Sequence, residues 1–323
     1  MVAPDGFLLA GKVLCSIQSD MTYRREREQG KRTARGAGRL RERNRMNIGI
    51  VGLGLIGGSM AKSIKKRTGH SIYGIDLDGE TMELARMCGA IDGSLTQETL
   101  PKCHIVLLAV RPGAAVAWTQ EHAGEFSSDA ILVDLCGVKR KVVQAITPIA
   151  RQQGFTYVGG HPMAGRERGG FHSSTEDLYV GASMILTPDG ETAPEKLEVL
   201  KHFFLDLGFG GLTYSDPEEH DRIIAFTSQL AHIVSSAYVK SPEAQRRRGF
   251  SAGSFQDMTR VARLDEDMWT ELFLADADYL TVVLDELIGH LNEYAQALKA
   301  RDEEGLRALL RDGREKKMAA GGC

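Results

Sequence analysis

His161 opens the run His161-Pro162-Met163-Ala164-Gly165-Arg166-Glu167-Arg168-Gly169-Gly170, directly after the apolar, β-prone stretch Phe155-Thr156-Tyr157-Val158. An imidazole is therefore expected at the carboxyl end of a strand. In open α/β sheets, ligands bind outside the carboxyl ends of strands. A histidine placed there can take the proton of a substrate hydroxyl while a nicotinamide takes the hydride. On these residues alone, a histidine and proline shaping a tight turn fit equally well.

Gly52-Leu53-Gly54-Leu55-Ile56-Gly57 fits G-x-G-x-x-G between an expected strand and an expected helix, the context that gives the pattern its weight. Gly52 permits the tight turn, Gly54 lets backbone approach a pyrophosphate, and Gly57 allows close helix–strand packing. The phosphates would lie at the helix amino end, where free N–H groups and the helix dipole favour anions. Asp76, nineteen residues past Gly57, ends the strand Ile72-Tyr73-Gly74-Ile75-Asp76. A carboxylate there accepts a ribose 2′-hydroxyl and repels a 2′-phosphate. No Arg or Lys stands in Leu77–Glu80 to hold that phosphate, so NAD is preferred to NADP. A capping aspartate in a turn is the competing reading.

Three further segments carry polar groups in regular settings: Asp134-Leu135-Cys136-Gly137-Val138-Lys139, a strand end entering a helix; His220-Asp221-Arg222 with Thr227-Ser228-Gln229-Leu230-Ala231-His232; and Ser254-Phe255-Gln256-Asp257-Met258-Thr259-Arg260-Val261-Ala262. His220 and His232 lie twelve residues apart, about 120° around a uniform α-helix, and so need not share a site.

The elements that must position these groups fall into two kinds. From Met46, strands are expected at 48–51, 71–76, 105–110, 130–134 and 156–158, with helices at 57–67 and 81–88 between them. Strands at 183–186 and 211–214 flank a helix at 194–207. That alternation predicts a Rossmann-type doubly wound parallel sheet over 46–214. Ser215-Asp216-Pro217-Glu218-Glu219 has the signature of a helix start, with a capping side chain, proline in the first turn and early carboxylates. Beyond it, 215–313 reads as all helix, running first to Lys240 and again from about Asp265, with 314–323 as a tail. Phe273, Leu280, Leu287 and Tyr294 form one heptad-like row, and Leu284, Leu291 and Leu298 another. This apolar surface exceeds what one small domain needs, which suggests a homodimer through the helices.

The 323-residue chain is 42% hydrophobic with net charge −3, which advertises neither nucleic acid nor membrane. Residues 21–45 hold ten Arg/Lys against three Glu, without interleaved aromatics. Residues 1–45 read as lying outside the fold, with translation beginning at Met46. A disordered basic tail and an organelle transit peptide are the alternatives. Five cysteines without a CxxC pair imply neither a disulfide framework nor a zinc site and fit a cytoplasmic protein; no metal is expected.

Taken together, the glycine fingerprint, the HPMAG-x-E-x-x-G run at 161–170 and the D-x-T-R run at 257–260 resemble the prephenate/arogenate dehydrogenase family of tyrosine biosynthesis, from Met46 to about Leu310. The resemblance implies NAD-dependent oxidative decarboxylation of a cyclohexadienol: hydride leaves the hydroxyl-bearing ring carbon, a base takes the hydroxyl proton, and carbon dioxide departs as the ring aromatises. It implies His161 as the catalytic histidine, neutral at working pH. It implies Arg260 as the residue gripping a substrate carboxylate and His232 as a pocket-lining residue. The expected cofactor contacts are Gly52, Gly54, Leu55, Ile56, Gly57, Asp76, Val110 and Gly137. Glu167 either orients a neighbour or forms a surface ion pair.

Two positions depart from the family pattern: Arg166, where a small or polar residue is commoner and which is given no role, and, with more consequence, Gly137. Many relatives carry a serine where Gly137 stands, just before Val138-Lys139, and it hydrogen-bonds the catalytic histidine; its loss bears on rate. Arogenate is the alternative substrate. A β-hydroxyacid dehydrogenase is disfavoured because no lysine falls within 223–237. An NAD-sensing regulator with a DNA-binding arm would not need His161 and Arg260 together.

Overall fold

The computed structural model describes residues 45–321; the expectations for residues 1–44 and for the last two residues lie outside that span. Eight strands form one sheet: β1 (Asn47–Val51), β2 (Ser71–Ile75), β3 (Gly93–Ser94), β4 (Ile105–Leu108), β5 (Ile131–Asp134), β6 (Thr156–Pro162), β7 (Ser183–Thr187) and β8 (Gly211–Tyr214). Their order is β3-β2-β1-β4-β5-β6-β7-β8. Pairing is parallel throughout except at β6–β7, where Gly159 to Pro162 run antiparallel to Met184 to Thr187. The sheet is thus mostly parallel, with one antiparallel junction that alternation alone does not reveal. The order reverses between β1 and β4, and a doubly wound sheet opens its ligand crevice at such a point.

Helices cover both faces: α1 (Leu55–Arg67), α2 (Gly79–Met87), α3 (Pro112–His122), α4 (Arg140–Gln153) and α5 (Pro194–Asp206). Because both faces are covered, β4 and β5 are buried at every position; β4 reads as the apolar run Ile-Val-Leu-Leu, and β5 as Ile-Leu-Val closed by the buried Asp134. One core packs Ile48, Ile50, Ile105 and Leu107 with Phe203 and Phe204; the other packs Val51, Val106, Leu108 and Leu132 with Tyr157. α4 buries Val142, Ile146 and Ala150 at helical spacing and stops at Gly154, whose φ of 83° suits a left-handed helix end.

The helical part begins as its sequence predicts. Asp216 caps α6 (Pro217–Ile224) by accepting from the Glu219 amide at 2.9 Å. It then departs from one continuous helix: a π-helical stretch, Ala225–Leu230, precedes α7 (Ala231–Tyr238). After α8 (Gly253–Thr259), the helix expected from Asp265 is two, α9 (Glu266–Ala275) and α10 (Ala277–Ala300), broken at the buried Asp276. α11 (Glu303–Ala319) continues well past the expected tail boundary at 314, the helix-forming run Glu315-Lys316-Lys317-Met318-Ala319 extending it. Among the described residues no helix is long and apolar enough to cross a membrane.

Candidate active site

The glycine fingerprint sits where β1 meets α1, at the strand-order reversal. Gly52 has φ of 85°, and a Cβ there would meet Ala109 O and Val110 Cγ1 at 2.6 Å, so Val110 packs directly on the turn. At Gly57 a Cβ would fall 1.8 Å from Gly52 O, which makes glycine obligatory for this helix to leave this strand. Gly54 is different: a Cβ would meet nothing within 4 Å. Gly54 is the N-cap of α1 and no side chain caps the helix, so the amides of the first turn at Leu55, Ile56 and Gly57 have open space before them. This cradle fits a pyrophosphate.

Asp76 follows β2 and faces the same turn. Its Oδ2 accepts from the Leu53 amide at 2.6 Å and its Oδ1 from the Asp78 amide at 3.0 Å. Each oxygen retains a second lone pair for a ribose hydroxyl. Leu77, Asp78, Gly79 and Glu80 beyond it are exposed and bring no positive charge.

His161 lies near the carboxyl end of β6, partly exposed, beside the end of β5. A Cβ on Gly137 would stand 4.0 Å from His161 Nε2 and 3.4 Å from Leu272, so that nitrogen faces the strand ends where a nicotinamide would lie. The other ring nitrogen, Nδ1, is 3.0 Å from His220 Nε2, and His220 Nδ1 is 2.7 Å from Asp221 Oδ1. Asp221 also accepts from the Lys139 amide at 2.7 Å and the Arg140 amide at 2.9 Å. Burial, with the Lys139 cation adding to it, holds the His161 imidazolium well below its ordinary pKa. The ring is neutral at neutral pH, as a base must be.

A buried polar cluster supports this strand end. Lys139 Nζ donates to Asp134 and, at 2.6 Å, to Gly160 O, while Tyr157 Oη donates to Asp134 at 2.7 Å. The peptide leading into His161 is thereby tied to β5. Cys136 is an inert thiol: it is buried, donates to Val110 O, and burial pushes its pKa well above the ordinary value.

α9 roofs the crevice from the helical side. Trp269 packs against His232 with ring centroids 4.0 Å apart and planes tilted by 32°, Glu271 accepts from the Gly113 amide at 2.7 Å, and Leu272 lies over Gly137. His232 Nδ1 is 2.8 Å from Ser228 O, inside the π-helical stretch. Burial lowers the His232 pKa, with the nearby Arg260 charge adding to the effect. Arg260 ends α8 with its side chain 66% exposed, and its Nη1 donates to Glu167 Oε1 at 3.1 Å. The expected surface ion pair at Glu167 therefore forms with the very arginine assigned to substrate.

Sequence reading places His161, Gly137 and the fingerprint along one crevice, and the geometry gathers them there. It misses His220 as the partner of His161, since a helical spacing says nothing about a contact to β6. It also misses Trp269, Leu272 and Glu271, whose only signal is helical periodicity.

Comparison with known proteins follows the same division of the chain. A family model described as "Prephenate dehydrogenase, nucleotide-binding domain" matches residues 60–210, and one described as "Prephenate dehydrogenase, dimerization domain" matches 216–312. A prephenate dehydrogenase of Bacillus subtilis is 30% identical over 267 residues, covering 80% of this chain and 71% of the relative. The crystal structure of prephenate dehydrogenase from A. aeolicus, in complex with hydroxyphenyl propionate and NAD+, superposes with a TM-score of 0.76 at 31% identity, covering 86% of this chain and 99% of that one. The crystal structure of Synechocystis arogenate dehydrogenase gives 0.71 at 26% identity, covering 85% and 100%.

Proposed function

The chain belongs to the prephenate dehydrogenase family, and from that membership and the crevice described above we infer that it catalyses NAD-dependent oxidative decarboxylation of prephenate to 4-hydroxyphenylpyruvate and carbon dioxide. The observation that carries the reading is a neutral histidine at a strand end, its Nε2 facing Gly137, in a sheet that also carries a dinucleotide fingerprint. NAD, when bound, supplies the hydride acceptor.

The chain's own groups then have distinct tasks. The open first turn of α1 and the carboxylate of Asp76 hold pyrophosphate and adenosine ribose, and Val110 and Gly137 border the nicotinamide pocket. His161 Nε2 accepts the hydrogen bond, and then the proton, of the ring hydroxyl as its C–O bond gains carbonyl character. Loss of carbon dioxide needs no further acid or base, because aromatisation drives it. The proton returns to the oxygen as the phenol forms, so substrate and NAD are converted to product, carbon dioxide and NADH with no net proton released. Arg260 grips a substrate carboxylate, in exchange for Glu167, in the planar fork suited to it. His232, held against Trp269, lines the ring pocket.

The likeness to an arogenate dehydrogenase keeps arogenate as the second reading, with an amino group replacing the side-chain keto oxygen. NADH formation with both substrates in parallel tests the proposal. Turnover of prephenate supports it, turnover of arogenate alone moves the enzyme to the other branch, and turnover of neither refutes both.

We further propose a cytoplasmic homodimer assembled through the helical part, with residues 46–214 holding nucleotide and the part beginning at 215 completing the substrate site. Among the described residues the buried apolar side chains of that part are few, Ile224, Ala225, Leu230 and Leu280, whereas Val282, Leu291, Leu298 and Leu310 are 66%, 58%, 63% and 63% exposed. So much uncovered apolar surface favours a partner. Light scattering is expected to return about twice the 35.3 kDa of one chain.

A further inference from the structure

We infer that Asp221 and His220 form a buried relay that fixes His161 as the Nδ1–H tautomer, making Nε2 the base and giving the protonated ring an internal place to share its charge. The inference rests on the proposed reaction and specifies how its base is held.

The tautomers follow from one fixed anion. Although burial opposes it, hydrogen bonds from His220 and from the Arg140 and Lys139 amides hold the Asp221 carboxyl below the usual carboxylate range. An ionised carboxylate can only accept, so His220 Nδ1, 2.7 Å away, must carry hydrogen. Burial keeps His220 neutral, so its Nε2 is a lone pair. His161 Nδ1, 3.0 Å from that lone pair, must then be the donor, which leaves the lone pair of a neutral His161 on Nε2. That nitrogen is the one facing Gly137 and the strand ends. No ring in the series has a second choice.

The relay also suits the proton balance of the reaction. The O–H bond of the substrate breaks as the N–H bond at His161 Nε2 forms, and the same proton returns to oxygen when the phenol appears. A proton that is borrowed needs no exit to water. The His220 and Asp221 side chains are only 0% and 1% exposed, so this arrangement can share a charge without losing the proton. The charged and titratable groups around His161, His220 and Asp221 are Asp134 from β5, Lys139 and Arg140 at the start of α4, and Asp276 at the junction of α9 and α10. His220 is a positioning residue, since it reaches substrate only through His161.

The first test is nitrogen NMR of wild-type protein labelled with 15N-histidine. Hydrogen on His161 Nδ1 with a bare Nε2 is expected; hydrogen on Nε2 overturns the inference, and this readout needs no variant and no turnover. The second compares His220→Leu with His220→Gln, whose side-chain carbonyl can replace His220 Nε2 as acceptor. His220→Leu is expected to lower kcat on the order of 100-fold with KM little changed. It should also move the acid limb of kcat/KM to lower pH, because the imidazolium loses its acceptor. His220→Gln is expected to recover most of the loss. An unshifted acid limb, or a glutamine variant as impaired as the leucine one, would contradict the relay, since mere packing does neither. If the wild-type enzyme turned over neither prephenate nor arogenate, the reaction would be wrong while the tautomer measurement still judged the relay.

Discussion

Gly54 and Gly57, three residues apart, make opposite demands, and alanine at each separates cofactor binding from folding. At Gly57 the added methyl carbon would sit 1.8 Å from Gly52 O and 2.9 Å from Ala109 Cβ, and neither backbone nor strand can yield without moving α1 off β1. Overpacking of this kind costs about 3 kcal/mol or more, roughly 6–12 °C in Tm for a unit of this size. At Gly54 the same methyl meets nothing within 4 Å, and φ of −64° is open to alanine. Stability of Gly54→Ala should change by less than about 0.5 kcal/mol. Its methyl would instead occupy the space through which a pyrophosphate approaches the first-turn amides, and a loss of about 1.4 kcal/mol or more weakens NAD at least tenfold. Thermal melts with titration calorimetry of NAD read both quantities. A Gly54→Ala protein that bound NAD as the wild type does would place the pyrophosphate elsewhere and refute the cradle. One that melted as early as Gly57→Ala would refute the packing argument.

Further expectations concern the helical junction, the substrate grip and the departure from the family pattern at Gly137. Burial, reinforced by the Asp221 charge, raises the Asp276 carboxyl to about 7. The folded state thus binds this proton more tightly than the unfolded chain, and stability falls as pH rises from the ordinary carboxylate range to about 7, then levels. Asp276→Asn should therefore stabilise by about 1–2 kcal/mol at about pH 8, short of the full linkage because Arg140 loses a charged partner, and be near neutral at about pH 4. Melts giving equal effects at both pH values would contradict the assignment. Arg260→Ala should raise KM by roughly tenfold to a hundredfold with kcat less affected. A fall confined to kcat in steady-state kinetics would remove Arg260 from ground-state binding. Gly137→Ser has room, its Cβ 3.4 Å from Leu272 and 4.0 Å from His161 Nε2, and should raise kcat by up to about tenfold through one new hydrogen bond. Unchanged or lower kcat would show that the histidine is already held.

The nucleotide-binding half is legible because its constraints are local. Three glycines and an aspartate at fixed spacing specify a turn whose geometry tolerates little else, and strands buried on both faces announce themselves as apolar runs. α3 goes unassigned on sequence alone although Pro112 in its first turn marks the start; its small residues give little periodicity. The helical half is less legible because its breaks have tertiary causes. The rows Phe273, Leu280 and Leu287 run straight across the junction at Asp276, which ends α9 while its carboxylate accepts from Arg140 Nη2 at 2.9 Å and Gln229 Nε2 at 3.2 Å. The π-helical stretch adds no residue type that a pattern could detect, yet it lies between His220, aimed at β6, and His232, packed against Trp269. The uniform helix on which the sequence reading places both histidines is interrupted between them.

The central claim is that His161 serves as the base for hydride transfer from prephenate to NAD. It is tested most directly by NADH formation from prephenate in wild-type protein and in His161→Asn, with NAD affinity measured on both. The account predicts wild-type turnover, a loss in the variant on the order of 100-fold or more, and equal NAD binding. A His161→Asn protein that still turned prephenate over at the wild-type rate would contradict it.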